Sequence, residues 1–398
     1  MQRVAIVYDY LPSLGGGGER LLEELVNHFS GNVDLYFGFT VESAYSRGYL
    51  ERIRNKIGKN HLHLGPSVRF FKSISFRLCN YLLPQLLQSL NLQHYDLVIS
   101  LTAFLGHSIK PPVHGKHIIY FNTPARFLWN LTHTQTFLKK ITGKFLVTDV
   151  MKYRSQLYDL SGVHRTRHLL SISRAVQNRV SSFYNLPSRI LYPASVPAAL
   201  LSQELMSPAL REQLGNYYTH ISRIESYKNI DLALDTWKHF GIQTPLVIMG
   251  DGPYMKTMSK KLRKMYGKPT PLTLQGVSHE CNSYGPIILT GLIPEEKKFV
   301  LLATASAKLS LNDEDFGITK VEALATGTPV IALAAGAAPE LISHEQNGIL
   351  FSEATPEHLY NALILHESTH YKRTAIKQSA KAFTVEAFHL NLERLLHA

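Results

Sequence analysis

The chain has 398 residues, 45% of them hydrophobic and 18% charged, which excludes a disordered polymer, a collagen and a coiled coil. Two cysteines, Cys79 and Cys281, exclude a disulfide scaffold and a cysteine zinc site and fit a reducing, cytoplasmic compartment. The formal charge of +12 is one-sided: residues 1–200 carry 23 Lys and Arg against 10 Asp and Glu, and the remainder 19 against 20, so the first half points to a polyanionic partner such as nucleic acid, anionic lipid or a phosphate-bearing substrate.

No stretch reaches the ~18 apolar residues of a membrane span. The N-terminus runs directly into an apolar strand, Val4–Tyr10, so no signal peptide is expected. A glycine run, Gly15–Gly18, leads into a helical pattern with Leu21, Leu22, Leu25, Val26 and Phe29 on one face. Further strands are predicted at Val33–Phe39, Asp96–Leu101, His117–Phe121, Leu169–Ile172 and Arg189–Tyr192, apolar enough to be parallel and covered on both faces. Over 47–77, Arg47, Arg52, Arg54, Lys56, Lys59, Arg69, Lys72 and Arg77 interleave with Phe70, Phe71, Ile74, Phe76 and Leu78. That strip reads either as contact with an anionic membrane or as a solvated basic face over a core helix. No nucleic-acid module accompanies the charge, so nucleic acid is not expected as a partner.

A Pro- and Ala-rich linker is predicted at Tyr192–Ser207. The second half alternates strands at Tyr217–Ile221, Leu246–Met249, Ile287–Leu289, Ala307–Leu311, Pro329–Leu333 and Ile349–Phe351 with helices at Ile230–Phe240, Tyr254–Tyr266, Pro294–Ala305, Ile318–Ala325 and Pro356–Leu365. Residues 267–285 read as a loop insertion. Strand–helix alternation implies βαβ units. Two such halves give an α/β fold of two Rossmann-like, doubly wound domains facing across a cleft, 1–195 and 205–371. A final helix over 372–398 is expected to cross back onto the first domain.

The sharpest motif is Asp313-Glu314-Asp315-Phe316-Gly317-Ile318-Thr319-Lys320-Val321-Glu322, followed by Gly327-Thr328-Pro329-Val330-Ile331-Ala332. Glu314 sits in the loop at a strand's carboxyl end, where doubly wound folds bind ligands. Glu322 lies about a turn and a half into the next helix. The two carboxylates can reach successive parts of one ligand lying along the helix start, whose N–H groups suit a diphosphate. Gly317 lets backbone approach that ligand. Arg223 and Lys228 follow another strand's carboxyl end and can neutralise a leaving diphosphate, which makes a metal unnecessary. Asp313-Glu314-Asp315 spells an Asp-x-Asp, but beside this helix a metal role is not favoured. Gly15–Gly18 is not Gly-x-Gly-x-x-Gly, and only Asp34 lies at ribose spacing, so a dinucleotide dehydrogenase is disfavoured.

The Glu-x7-Glu block with its flanks resembles that of retaining glycosyltransferases of family 4, which have the GT-B fold. Tyr8-Asp9-Tyr10-Leu11-Pro12 with Gly15–Gly18, Arg223 with Lys228, and Val247–Pro253 resemble the family's glycine loop, diphosphate clamp and second-domain turn. Tyr120-Phe121-Asn122-Thr123-Pro124-Ala125-Arg126-Phe127-Leu128-Trp129, with Tyr158-Asp159, is similar to a branch containing mannosyltransferases of bacterial O-antigen and capsule synthesis that use GDP-mannose. The resemblance implies a metal-independent transfer of a hexose with retention, from a nucleotide sugar to a glycan or lipid-linked oligosaccharide. It places the protein in the cytoplasm, at the inner face of the cytoplasmic membrane. Glu314, Arg223, Lys228 and Asn122 would be catalytic. Glu322, the backbone of Phe316, Gly317 and Ile318, Gly16, Gly17, Gly18, Gly250 and Leu292 would hold the donor, and Arg126, Tyr120 and Thr123 the acceptor. Two departures stand out: Asn122 replaces the branch's histidine, and Ala334–Ala338 replaces a glycine-rich loop before Glu340. A UDP-sugar donor, and a non-catalytic sugar-nucleotide or glycan-binding relative, are the competing readings.

Overall fold

The structure is a computed structural model that describes residues 2–12, 15–68, 73–129 and 145–397. The chain forms two compact units, Met1–Tyr192 and Pro193–Ala398.

In the first unit the strands are β1 (Val4–Leu11), β2 (Val33–Val41), β3 (Leu62–Leu64), β4 (Ser67–Val68), β5 (Leu97–Thr102), β6 (Lys116–Phe121), β7 (His168–Ser171) and β8 (Arg189–Ile190). All pair in parallel, in the order β3-β2-β1-β5-β6-β7-β8, with β4 also on β2. β5 is buried throughout and β1 at every position but Tyr10, which matches their largely apolar sequences, as expected for strands covered on both faces. The order reverses between β1 and β5, and the loops at their carboxyl ends flank that switch point. The glycine run leads into the helix Gly17–His28, which buries Leu21, Leu22, Leu25 and Val26; Phe29 falls just past its end.

The basic strip resolves in part. Arg47, Arg52, Arg54 and Lys56 are exposed on the helix Ala44–Ile57, whose Tyr49, Ile53 and Ile57 are buried. That is a solvated basic face. Arg69, Phe70, Phe71 and Lys72 lie outside the described residues.

The second unit contains β9 (Tyr218–Ile221), β10 (Leu246–Met249), β11 (Thr270–Leu274), β12 (His279–Tyr284), β13 (Ile287–Gly291), β14 (Ala307–Ser310), β15 (Val330–Leu333) and β16 (Gly348–Phe351). Their order is β11-β12-β13-β10-β9-β14-β15-β16. The six strands from β13 to β16 are mutually parallel, whereas β11 and β12 pair antiparallel with their neighbours. The predicted loop insertion over 267–285 is therefore a hairpin that extends the sheet. Its strands carry Thr, Cys and Tyr among polar residues, and only Leu274, Cys281 and Tyr284 are buried, so no continuous apolar run marked them. The predicted final helix is two, Arg373–Ser379 and Val385–Leu396, separated by a short turn with Thr384 capping the second.

Chain order in the second sheet reverses at β9, which lies between β10 and β14. The carboxyl ends of β9 and β14 thus form its switch point.

Candidate functional site

The loop after β9 carries Arg223 and ends in a single 3-10 turn, Ser226–Lys228. Asn229 follows with φ +57°, a left-handed conformation Asn tolerates, and its side-chain amide donates to the Leu311 carbonyl at 3.1 Å. This tie brings Lys228 beside the loop after β14. There Lys228 Nζ donates to Glu314 Oε1 at 2.6 Å. The other carboxylate oxygen, Oε2, accepts from Lys320 Nζ, also at 2.6 Å. Lys320 has no exposed side-chain surface, whereas Lys228 retains 18%.

Gly317 joins the loop to the helix Ile318–Ala325 with φ +89°. A Cβ there would strike the Lys320 ammonium and the Glu314 carboxylate. The glycine therefore makes room for an internal ion pair, a role the expected approach of a ligand did not include. Gly336 plays a matching part from the alanine-rich loop: a Cβ would strike the Glu314 carbonyl, which accepts from Ala337 N at 2.9 Å. That loop buttresses Glu314 through backbone.

Glu322 lies on the same helix, nearly buried, and accepts from Lys298 Nζ at 2.8 Å, a cation of the preceding helix Glu295–Thr304. Arg223 is 39% exposed and its Nε lies 3.1 Å from Glu225. Phe316 packs its ring edge-on to Phe383 at 5.7 Å, so only its backbone is left for a ligand. Gly250 is required by the close approach of the Ser222 carbonyl, while Leu292 is 70% exposed beyond β13.

The electrostatics are dominated by lysines that the sequence reading passed over. Lys308 is buried on β14, and burial pushes its ammonium down to about 7. Burial alone would raise the Glu314 carboxyl; Lys320, Lys228 and Lys308 reverse this and hold it well below the usual range. Burial would likewise lower Lys228, but Glu314 raises it. His220, buried on β9 with Nε2 2.9 Å from Ser222 Oγ, is pushed down to about 3 by burial and then by Lys308, so it is neutral. Among the described residues no three His, Cys, Asp or Glu side chains converge as a metal site.

In the first unit the switch point is organised by Asp9, which had no assigned role. Its buried carboxylate accepts from Ala103 N at 2.6 Å, Phe104 N at 3.1 Å, Thr102 Oγ1 at 3.2 Å and Gly106 N. His107 lies 3.0 Å from Asp159, both fully buried. Asp159 also accepts from Trp129 Nε1 at 2.8 Å and the Tyr184 hydroxyl at 2.9 Å. These contacts pin the 122–129 block. Asn122 faces the glycine loop, its Nδ2 3.3 Å from where a Gly18 Cβ would stand. The Gly16 N–H is already taken: it donates to Glu19 Oε2 at 2.7 Å, while the Tyr8 hydroxyl holds Oε1 at 2.7 Å. Gly17 opens the helix. The expected acceptor role of Tyr120 is corrected. It is a core residue with no exposed surface, and its hydroxyl donates to the Leu191 carbonyl at 2.5 Å. Thr123 is buried, and Arg126 is partly exposed. Asp34 is held by His61 at 2.9 Å and Tyr95 at 2.6 Å near the amino end of β2, away from the carboxyl ends where a nucleotide would sit.

Residues 203–383 match the family described as Glycosyl transferases group 1. A GDP-mannose-dependent alpha-(1-6)-phosphatidylinositol dimannoside mannosyltransferase of Mycobacterium tuberculosis is 25% identical over 172 residues, 42% of this chain and 39% of that protein. An alpha-monoglucosyldiacylglycerol synthase of Streptococcus pneumoniae is 26% identical over 226 residues, 52% of this chain and 46% of that one. The chain thus spans less than half the length of these curated relatives. Among solved structures, HepE of Anabaena in complex with UDP superposes with a TM-score of 0.64 at 16% identity, over 100% of both chains. Sucrose-phosphate synthase of Thermosynechococcus elongatus superposes with a TM-score of 0.65 at 14% identity, over 100% of this chain and 98% of that one. The matched residues lie within the second unit, and the chain has the GT-B glycosyltransferase fold.

Proposed function

We propose that the protein transfers a hexose from a nucleotide sugar, mannose from GDP-mannose, to a glycan or lipid-linked oligosaccharide acceptor, with retention and without a metal. The observation that carries this is the switch point of the second sheet. Glu314 follows β14, Glu322 stands on the helix behind it, and Arg223 and Lys228 follow the neighbouring strand β9. In this reading Glu322 takes the ribose hydroxyls, and Leu292 lies against the base. Arg223 and Lys228 take the diphosphate, Arg as a fork and Lys as a point charge. Glu314 and the Phe316–Ile318 backbone orient the donor sugar. Cations aimed at the leaving diphosphate stabilise charge as it develops, commonly the largest catalytic contribution. The leaving phosphate then takes the acceptor proton during attack on the same face, so no separate base is needed. His220, lowered to about 3 by burial, is a poor proton acceptor and fits such a site.

The donor assignment draws on the 120–129 block and on the likeness to the GDP-mannose-dependent enzyme. The second reading, a UDP-sugar donor, is supported by the likeness in fold to HepE of Anabaena, whose structure was solved in complex with UDP-glucose. The names of both curated relatives contain a glycosylated lipid, which favours an acceptor at the inner face of the cytoplasmic membrane. The test is release of nucleoside diphosphate from each donor, with and without EDTA, in wild type and E314A. Donor turnover by wild type, insensitive to EDTA and lost in E314A while the nucleotide still binds, supports the proposal. Binding without turnover on any acceptor favours a non-catalytic sugar-nucleotide protein.

A further inference from the structure

Glu314 is held by two lysines from different elements, and the two are not equivalent. Lys228 stands on the loop after β9 with part of its side chain exposed, while Lys320 rises from the first turn of the Ile318–Ala325 helix with none. Lys320 has a second tether, Ser310 Oγ of β14 at 3.4 Å. Its place is also sterically reserved, since Gly317 has no side chain to displace it. Arg223 shows a parallel arrangement, resting on Glu225 at 3.1 Å. Both cations assigned to the diphosphate are therefore paired with carboxylates.

We infer that Lys320 is a fixed counter-ion that lets Glu314 release Lys228 to the donor diphosphate, making it a positioning residue for donor binding. This deepens the proposed function and rests on it. The physical reason is asymmetry of cost. Glu314 is nearly buried, and a buried carboxylate stripped of its partner is heavily penalised. Were Lys228 its sole partner, binding a diphosphate would leave Glu314 uncompensated. Lys320 cannot follow Lys228 toward the donor, because it is enclosed and tethered, so it stays on Oε2. Buried Lys308 adds positive charge behind the pair. Asp313 and Asp315 of this loop, with Tyr218 and neutral His220 of the adjoining strand β9, are the other titratable groups there. An exposed lysine thus becomes exchangeable between a carboxylate and a phosphate, two anions of similar geometry.

The test compares affinities for GDP and UDP with those for guanosine and uridine, in wild type, K320M, E314Q and K320M/E314Q. Without Lys320, Lys228 must remain on Glu314. K320M is expected to weaken the nucleoside diphosphate at least about tenfold, the low end for a charge-assisted hydrogen bond, and to leave the nucleoside unchanged. Adding E314Q removes the carboxylate that retains Lys228, so K320M/E314Q is expected to recover diphosphate affinity to within about threefold of wild type. A general structural lesion in K320M would weaken the nucleoside as well as the nucleoside diphosphate. Unchanged diphosphate affinity in K320M overturns the inference. So does a loss in K320M that E314Q fails to restore, or an equal loss for nucleoside. If wild type binds neither nucleoside diphosphate, the proposed function itself fails, an outcome distinct from the other three.

Discussion

Replacing Gly317 by alanine probes the geometry of the site most sharply. The residue has φ +89°, and left-handed backbone costs an L-residue roughly 1–2 kcal/mol. An added Cβ also meets the Lys320 ammonium and the Glu314 carboxylate. Lys320 cannot retreat to solvent, so a charge-assisted hydrogen bond worth about 1.5–3 kcal/mol is forfeited. Lys228 still holds the other oxygen, which limits the damage to that bond. Together the two costs come to about 2.5–5 kcal/mol. Gly291 is the natural control, with φ +66° and open space around an added Cβ; there only the backbone cost of roughly 1–2 kcal/mol applies. Urea denaturation of the two variants beside wild type is expected to place G317A at least about 1 kcal/mol below G291A, with donor turnover lost in G317A alone. Equal losses of stability, or full turnover in G317A, would refute the steric assignment.

Other consequences follow from the charges. The folded Glu314 carboxyl lies well below its ordinary value of 4.5, so it contributes stability above that value that is lost as pH falls from there through the depressed pKa. The E314Q protein is expected to show a flatter stability profile over that acid window; identical profiles would contradict the lysine cage. Lys308 is lowered from 10.5 to about 7, so its charging opposes folding, and stability rises with pH between these values. K308M is expected to be more stable than wild type at pH 6 by about 1–4 kcal/mol, with the gain vanishing above pH 10.5; thermal denaturation across pH would show it. Y120F is expected to lose about 1 kcal/mol of stability with turnover unaffected. A fall in turnover without loss of stability would return Tyr120 to the acceptor site. E322Q is expected to raise KM for the donor more than it lowers kcat, as loss of ribose contacts should.

Much of this architecture was legible because parallel strands covered on both faces are written as short apolar runs. Leu246–Met249 and Ile318–Ala325 fall where periodicity put them. The switch-point residues were legible for a related reason: Glu314, Arg223 and Lys228 are charged residues just past such runs. The hairpin over 270–284 was not, because its polar alternation resembles a loop until the sheet edge pairs with it. The lysine cage escaped for another reason. Lys298, Lys308 and Lys320 are indistinguishable by type from solvated lysines, and only packing reveals that Lys308 and Lys320 are enclosed. Tyr120 misled in the opposite sense: within a motif it reads as a ligand contact, yet β6 turns it into the core. Gly16 and Gly250 also serve internal contacts of the chain, which residue type alone does not announce.

The most direct measurement is thermal stabilisation of the wild-type protein by GDP, GDP-mannose, UDP and UDP-glucose at equal concentration, beside E322Q. At about 100 times its Kd a bound ligand adds about 2.7 kcal/mol. Stabilisation of wild type by guanine nucleotides, weakened in E322Q, is expected for a mannosyl donor site at the second switch point. Stabilisation by uridine nucleotides alone would keep the site and replace the donor. No stabilisation by any of the four would contradict a nucleotide-sugar site there.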